Sequence, residues 1–179
     1  VNIIKTDIEG LFIIEPTVFS DDRGFFMETY NADRYAGAGI AERFVQDNLS
    51  CSKKGVLRGL HYQLPPFAQA KLASVISGSV FDVAVDIREG SLTFGKYVSV
   101  ELSADNRRQF FIPAGFAHGF LALEDDTVFQ YKCTNPYSPE HDRGIRYDDP
   151  AIGIAWPGGS FTVSEKDKRQ PLLSASETM

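Results

Sequence analysis

Along most of the chain apolar and polar residues alternate with a period of two, as in strands that turn one face inward. Over residues 80–87, Phe81, Val83, Val85 and Ile87 point one way and Asp82, Ala84 and Asp86 the other. Over 97–102, Val98, Val100 and Leu102 share a face. Residues 44–50 put Val45, Asp47 and Leu49 on one side and Gln46 and Asn48 on the other. Further strands are expected over 11–15, 25–30, 57–63, 72–77, 110–112, 119–123 and 128–134. Turn-forming clusters separate them, among them Asp21-Asp22-Arg23-Gly24, Leu64-Pro65-Pro66 and Pro113-Ala114-Gly115. Many short strands at close spacing predict a sandwich or barrel, and a jelly roll closing around a small cavity fits their number. Two short helices complete the pattern. Asn31 caps one over 32–38 that ends at Gly39, and Ser164-Glu165-Lys166-Asp167 has the form of a capping box.

Composition agrees with a mainly β chain. Fourteen Phe and seven Tyr in 179 residues favour strands. The length suits one core, and no repeat, linker or low-complexity tract divides it, so residues 1–179 are expected to form one domain. A net charge of −6 gives no basic surface for a long nucleic acid, yet a few placed Arg or Lys would still hold a diphosphate. Cys51 and Cys133 form no CxxC pair and suit a reducing compartment. Charges at Lys5, Asp7, Glu9 and Glu15 interrupt any signal-peptide core, and no apolar run approaches the ~20 residues of a membrane helix. A cytoplasmic protein is expected, without membrane partners.

Candidate chemistry starts with three histidines. None has the close spacing of a His-x-His or His-x-x-x-His metal site. His61 lies in Arg58-Gly59-Leu60-His61-Tyr62-Gln63, where Gly59 marks a bulge that would re-aim Arg58 toward the His61 face. The residues alone leave His61 open between a site and a half-buried strand histidine. His118 falls in a tight connection, Pro113-Ala114-Gly115-Phe116-Ala117-His118-Gly119, and reads as a satisfied core histidine or a cavity group. His141 sits in a polar loop and reads as surface. Taken alone, Tyr131 reads as core, Lys71 as solvated, and Asp167 as the acidic member of the capping box. Gln46 and Asn48 are ligand contacts only if their face lines a cavity. P-loop, Rossmann and Gly-x-Ser-x-Gly motifs are absent, which argues against a dinucleotide cofactor and a serine hydrolase.

In order, these segments resemble the dTDP-4-dehydrorhamnose 3,5-epimerase family. The resemblance runs through Phe19-Ser-Asp-Asp-Arg23-Gly-Phe-Phe-Met-Glu28, Phe44-Val-Gln46-Asp-Asn48 and Gly55-Val-Leu-Arg58-Gly-Leu-His61-Tyr-Gln. It continues through Lys71, Phe81-Asp-Val-Ala-Val-Asp86-Ile-Arg, Ile112-Pro-Ala-Gly-Phe-Ala-His118-Gly-Phe, Tyr131-Lys and Ser164-Glu-Lys166-Asp167. It implies a cupin-type jelly roll, a homodimer, and no metal or organic cofactor. It further implies conversion of dTDP-4-dehydro-6-deoxy-D-glucose to dTDP-4-dehydro-L-rhamnose, in L-rhamnose synthesis for the cell envelope. By the same resemblance His61 is the base, Asp167 its paired carboxylate, Tyr131 the acid on the opposite face and Lys71 the enolate stabiliser. Arg23, Glu28, Gln46, Asn48, Arg58, His118 and Lys166 match substrate contacts, Tyr137 a thymine-stacking aromatic and Asp142 an acidic contact.

The roles suit the residues. Inversion beside a ketone needs a base on one face and an acid on the other. Neutral His (reference pKa ~6.5) and protonated Tyr (~10) supply them near neutrality. Three rivals stay open at this stage: a single C3 or other 4-keto-sugar epimerase of the same family, a non-catalytic sugar-nucleotide-binding cupin, and a metal-dependent cupin oxygenase.

Overall fold

The computed structural model describes all residues, 1–179. In chain order the elements are β1 (Asn2–Lys5), β2 (Phe12–Glu15), β3 (Val18–Asp21), β4 (Gly24–Met27), helix α1 (Ala32–Gly37), β5 (Gln46–Ser52), β6 (Val56–Gln63) and β7 (Lys71–Ser77). Then follow β8 (Ser79–Asp86), β9 (Tyr97–Ser103), β10 (Gln109–Ile112), β11 (Phe116–Ala122), β12 (Thr127–Cys133), β13 (Asp142–Gly144), β14 (Thr162–Val163) and helix α2 (Glu165–Lys168). A 3₁₀ turn at Leu173–Ala175 follows α2.

The long strands form two sheets. One has the order β1-β2-β10-β7-β12-β5, the other β13-β6-β11-β8-β9, with β14 parallel to β6. Two sheets with non-sequential neighbours fit the expected jelly roll, and the fold is cupin-like. The inner faces meet in a core that includes Ala73, Val75, Phe110 and Phe129 from the first sheet and Val80, Ala84, Val100, Leu102, Phe116 and Phe120 from the second. The expected alternation in β9 accounts for Val98, Val100 and Leu102 packing here together. The second sheet is covered on its outer face as well, where Leu60, Tyr62, Val83, Val85 and Ile87 pack under the C-terminal segment. β8 is therefore buried on both faces, and Asp82, on the side opposite Val83, points into the interior rather than to water.

α1 begins where expected, with the Asn31 side chain accepting from the Arg34 N–H, and closes one residue short at Gly37. Strands β1, β3, β13 and β14 are not among those expected, β5 starts at Gln46 rather than Phe44, and two further strands are displaced. β4 stops at Met27, leaving Glu28 and Tyr30 outside it. β11 starts at Phe116 rather than Gly119, so His118 sits mid-strand and not in the preceding connection. The tight turn expected at Pro113-Ala114-Gly115 is present, with Gly115 at φ +93°, and it carries the chain from β10 in one sheet to β11 in the other.

β3 and β4 form a separate two-stranded hairpin. It leaves Phe19, Phe25 and Phe26 exposed at 55–68%.

Candidate active site

The two sheets open at one end onto a cavity of about 510 Å³, a size suited to a small ligand. One wall comes from β6 and β11, the other from β5, β7 and β12; β14 and α2 close the side.

The bulge expected at Gly59 is present. The β6–β11 pairing runs His61 to His118, then jumps to Arg58 opposite Phe120. Gly59 takes φ +129°, and a Cβ there would lie 2.5 Å from Gly119 Cα. Only glycine fits so close a crossing. The extra residue switches the parity of the strand. Leu57 and Leu60 turn into apolar packing, and Arg58 and His61 both face the cavity.

Asp167 reaches His61 from α2. The Ser164 hydroxyl accepts from the Asp167 backbone N–H, as a capping box would have it. The Asp167 carboxylate does not complete the box. It turns inward, with Oδ1 2.7 Å from His61 Nε2 and Oδ2 accepting from the Gly59 N–H at 3.2 Å. Cap and dyad, alternatives in the sequence, are thus backbone and side chain of one residue. Burial raises the Asp167 pKa, but the His61 hydrogen bond and charge, aided by Gly59 and Ser164, outweigh it and hold the carboxyl below its usual range. Asp167 therefore stays ionised and fixes His61 with hydrogen on Nε2, leaving Nδ1 as the basic nitrogen.

The opposite wall carries Tyr131 and Lys71. Burial, with a smaller push from Cys133, raises the Tyr131 pKa above that of a free tyrosine, so the phenol keeps its proton. Lys71 is not the solvated lysine its position alone suggested. It is 6% exposed, donates to the His61 carbonyl at 3.3 Å and lies 6.0 Å from the Tyr131 ring centre. Burial lowers its pKa, partly offset by Cys133, Asp142 and Asp82. Asn48, His118 and Lys166 also line the cavity.

At its rim Gln46, Tyr137 and Asp142 form a connected set. The Tyr137 N–H donates to Gln46 Oε1 at 2.9 Å, Tyr137 Oη to Asp142 Oδ2 at 3.3 Å, and Lys166 pairs with Asp142. Gln46 also donates to Asn48 Oδ1 at 3.0 Å. Tyr137 is 56% exposed, a free aromatic face beside the opening. Arg23 and Glu28 are not brought to this cavity. Arg23 sits on the exposed hairpin, paired with Asp21 at 2.5 Å, and Glu28 pairs with Arg34 at 3.0 Å. His141 lies apart, against Phe67 and the Ser138 hydroxyl.

Asp82 escaped the sequence reading. Its Oδ1 lies 2.6 Å from His118 Nε2, and both residues are buried. The signal was an acidic residue amid Phe81, Val83, Ala84 and Val85, in a strand read as having one polar face. No group of three or more His, Cys, Asp or Glu side chains converges in the way a metal centre needs.

A carboxylate-held imidazole facing a protonated phenol, with a buried ammonium between, defines a jelly-roll protein built to move protons on a bound small molecule. Its relatives give the class a name. The chain belongs to the dTDP-4-dehydrorhamnose 3,5-epimerase family, whose model matches residues 5–175. It is 55% identical over 168 residues to the dTDP-4-dehydrorhamnose 3,5-epimerase of Methanothermobacter thermautotrophicus, covering 92% of this chain and 90% of the relative. The dTDP-6-deoxy-D-glucose-3,5-epimerase of Legionella pneumophila, solved with dTDP-4-keto-L-rhamnose, superposes with a TM-score of 0.95 at 54% identity, covering 98% and 94% of the two chains. ChmJ of Streptomyces bikiniensis, a 3'-monoepimerase solved with dTDP-quinovose, is more distant: 35% identity, TM-score 0.88, coverage 94% and 86%.

Proposed function

We propose that this protein converts dTDP-4-dehydro-6-deoxy-D-glucose to dTDP-4-dehydro-L-rhamnose by inverting C3 and C5. One observation carries the assignment of roles: the His61–Asp167 pair and Tyr131 stand on opposite walls of one cavity. A sugar ring between them has a base on one face and an acid on the other.

His61 Nδ1 takes the proton from a carbon beside the C4 ketone. The electron pair moves to the ketone oxygen, where the Lys71 ammonium stabilises the enolate. Collapse of the enolate takes a proton from Tyr131 on the far face, inverting the carbon. His61 then holds a proton and Tyr131 lacks one, and both return to their starting states through solvent before the second inversion. Overall nothing is oxidised or reduced. Arg58 and Lys166 supply charge for the diphosphate, and Tyr137 at the rim supplies a ring for thymine to stack on.

The rival reading as a single epimerase has a counterpart in ChmJ, but the higher identity to double epimerases favours inversion at both carbons. In heavy water the product should carry deuterium at C3 and C5. Label at C3 alone would make it a single epimerase, and binding without label would make it a silent cupin.

Residues 1–179 are read as one domain acting as a homodimer. The apolar, exposed hairpin of Phe19, Phe25 and Phe26, which also presents Arg23, supports a second copy as its cover. No helix is long and apolar enough to cross a membrane, and both cysteines are free, which suits the cytoplasm.

A further inference from the structure

His61 and His118 are partners across two paired strands, and each imidazole is held by its own carboxylate. The two carboxylates differ. Asp167 is tied to His61, to the Gly59 N–H and to a capped helix. Asp82 is fully buried and hydrogen-bonds only to His118: its Oδ2 is shut off from water with no partner. Its neighbours on the same face of β8, Val80 and Ala84, belong to the apolar core. Apolar residues in place of the whole buried pair would serve the fold as well or better, so stability alone does not account for it. The one contact Asp82 does make is to a histidine lining the reaction cavity.

We propose that Asp82 is a positioning residue for the reaction, acting through His118. The proposal rests on the function given above for the identity of the sugar. By accepting the Nε2–H, Asp82 sets the tautomer of His118, and Nδ1, which makes no hydrogen bond within the protein, becomes an acceptor in the cavity. The ring is further held by stacking on Phe129, with centres 6.0 Å apart and planes 25° apart. Lys71 offers only donors and Tyr131 gives up its proton, so His118 Nδ1 is the fixed acceptor beside them. It takes the hydrogen of a sugar hydroxyl and so registers the ring between base and acid.

Asp82→Asn tests this. The amide keeps the shape but can donate as well as accept, so the tautomer is no longer imposed. Turnover should fall by up to about 100-fold, the cost of small misplacement, with KM moving far less. The thermal midpoint should change little, because the amide oxygen can still accept from His118 Nε2. Nitrogen-15 NMR of labelled histidine should show His118 with hydrogen on Nε2 in the wild type and a mixture in the variant. In the His118→Asn background, Asp82→Asn should cost nothing further. Wild-type turnover in Asp82→Asn, an unchanged tautomer, or losses that multiply in the double variant would overturn the proposal. So would a lowered thermal midpoint with normal turnover per folded molecule. If the wild type leaves the sugar unchanged, the proposed function fails, and the histidine spectra still decide the coupling.

Discussion

In the role proposed for it, Lys71 must carry charge where burial disfavours it, and its pKa is lowered accordingly. Tyr131 is displaced the other way. We assign the alkaline loss of activity to Lys71, whose shift brings deprotonation toward neutrality, whereas that of Tyr131 carries it away. Turnover should decline at a pH below the ordinary lysine value of 10.5, as the ammonium deprotonates. Lys71→Arg, whose cation does not titrate in this range, should flatten that limb even if its plateau is lower. Measuring kcat against pH for both proteins checks this. At this scale the sequence was legible by order rather than by residue. His61, Tyr131 and Lys71 each had a bland reading alone, and only their succession along the chain singled them out. Nothing local marks Lys71 as buried, since that follows from β7 crossing beneath the opposite sheet. Asp82 was hidden by period-two logic, which assigns an acidic residue to water when the other face is apolar, whereas β8 is covered on both sides.

Two short elements turn strand geometry into a site. The bulge at Gly59 sets Arg58 and His61 on one face, and its backbone N–H steadies Asp167. Gly59→Ala would put a Cβ 2.9 Å from the His118 carbonyl oxygen and 2.5 Å from Gly119 Cα, both backbone atoms that cannot step aside. A loss of about 3 kcal/mol in urea unfolding is expected from strain and overlap together. Helix α2, four residues long, carries Asp167 as its one buried residue. Ser164→Ala removes its cap and should cost about 1 kcal/mol. Activity should drop in the folded protein too, because Asp167 loses its anchor. The bulge was legible from one glycine between Arg58 and His61 in a strand-like run, and the helix from its capping pattern. Strand ends were less so: β11 begins three residues early because Phe116 has a core to enter, which no local pattern reveals.

Across the whole molecule, stability in acid is set by carboxylates held in their ionised form. Asp86, fully buried at the end of β8, accepts from Arg88, Ser91 and Thr93. Burial raises its pKa, but those hydrogen bonds carry it far below the ordinary value of 3.8. The stabilisation is thus present above pH 3.8 and lost as pH falls toward the folded value, where the unfolded chain binds a proton that the native one refuses. In Asp86→Asn the slope of unfolding free energy below that pH should shrink by about 1.4 kcal/mol per pH unit, one proton's worth. Acid unfolding series of the two proteins would show it. The jelly roll itself was legible from strand number and spacing; that its two sheets bring the proposed base and acid to opposite walls was not, because facing depends on which strands cross over. That opposition is what exchange into heavy water tests most directly, in two variants. His61→Asn should leave the sugar unlabelled at both carbons. Tyr131→Phe should still exchange, returning deuterium on the face it came from and giving no inverted product. Label in His61→Asn, or inverted product at wild-type rate in Tyr131→Phe, would contradict the assignment of base and acid.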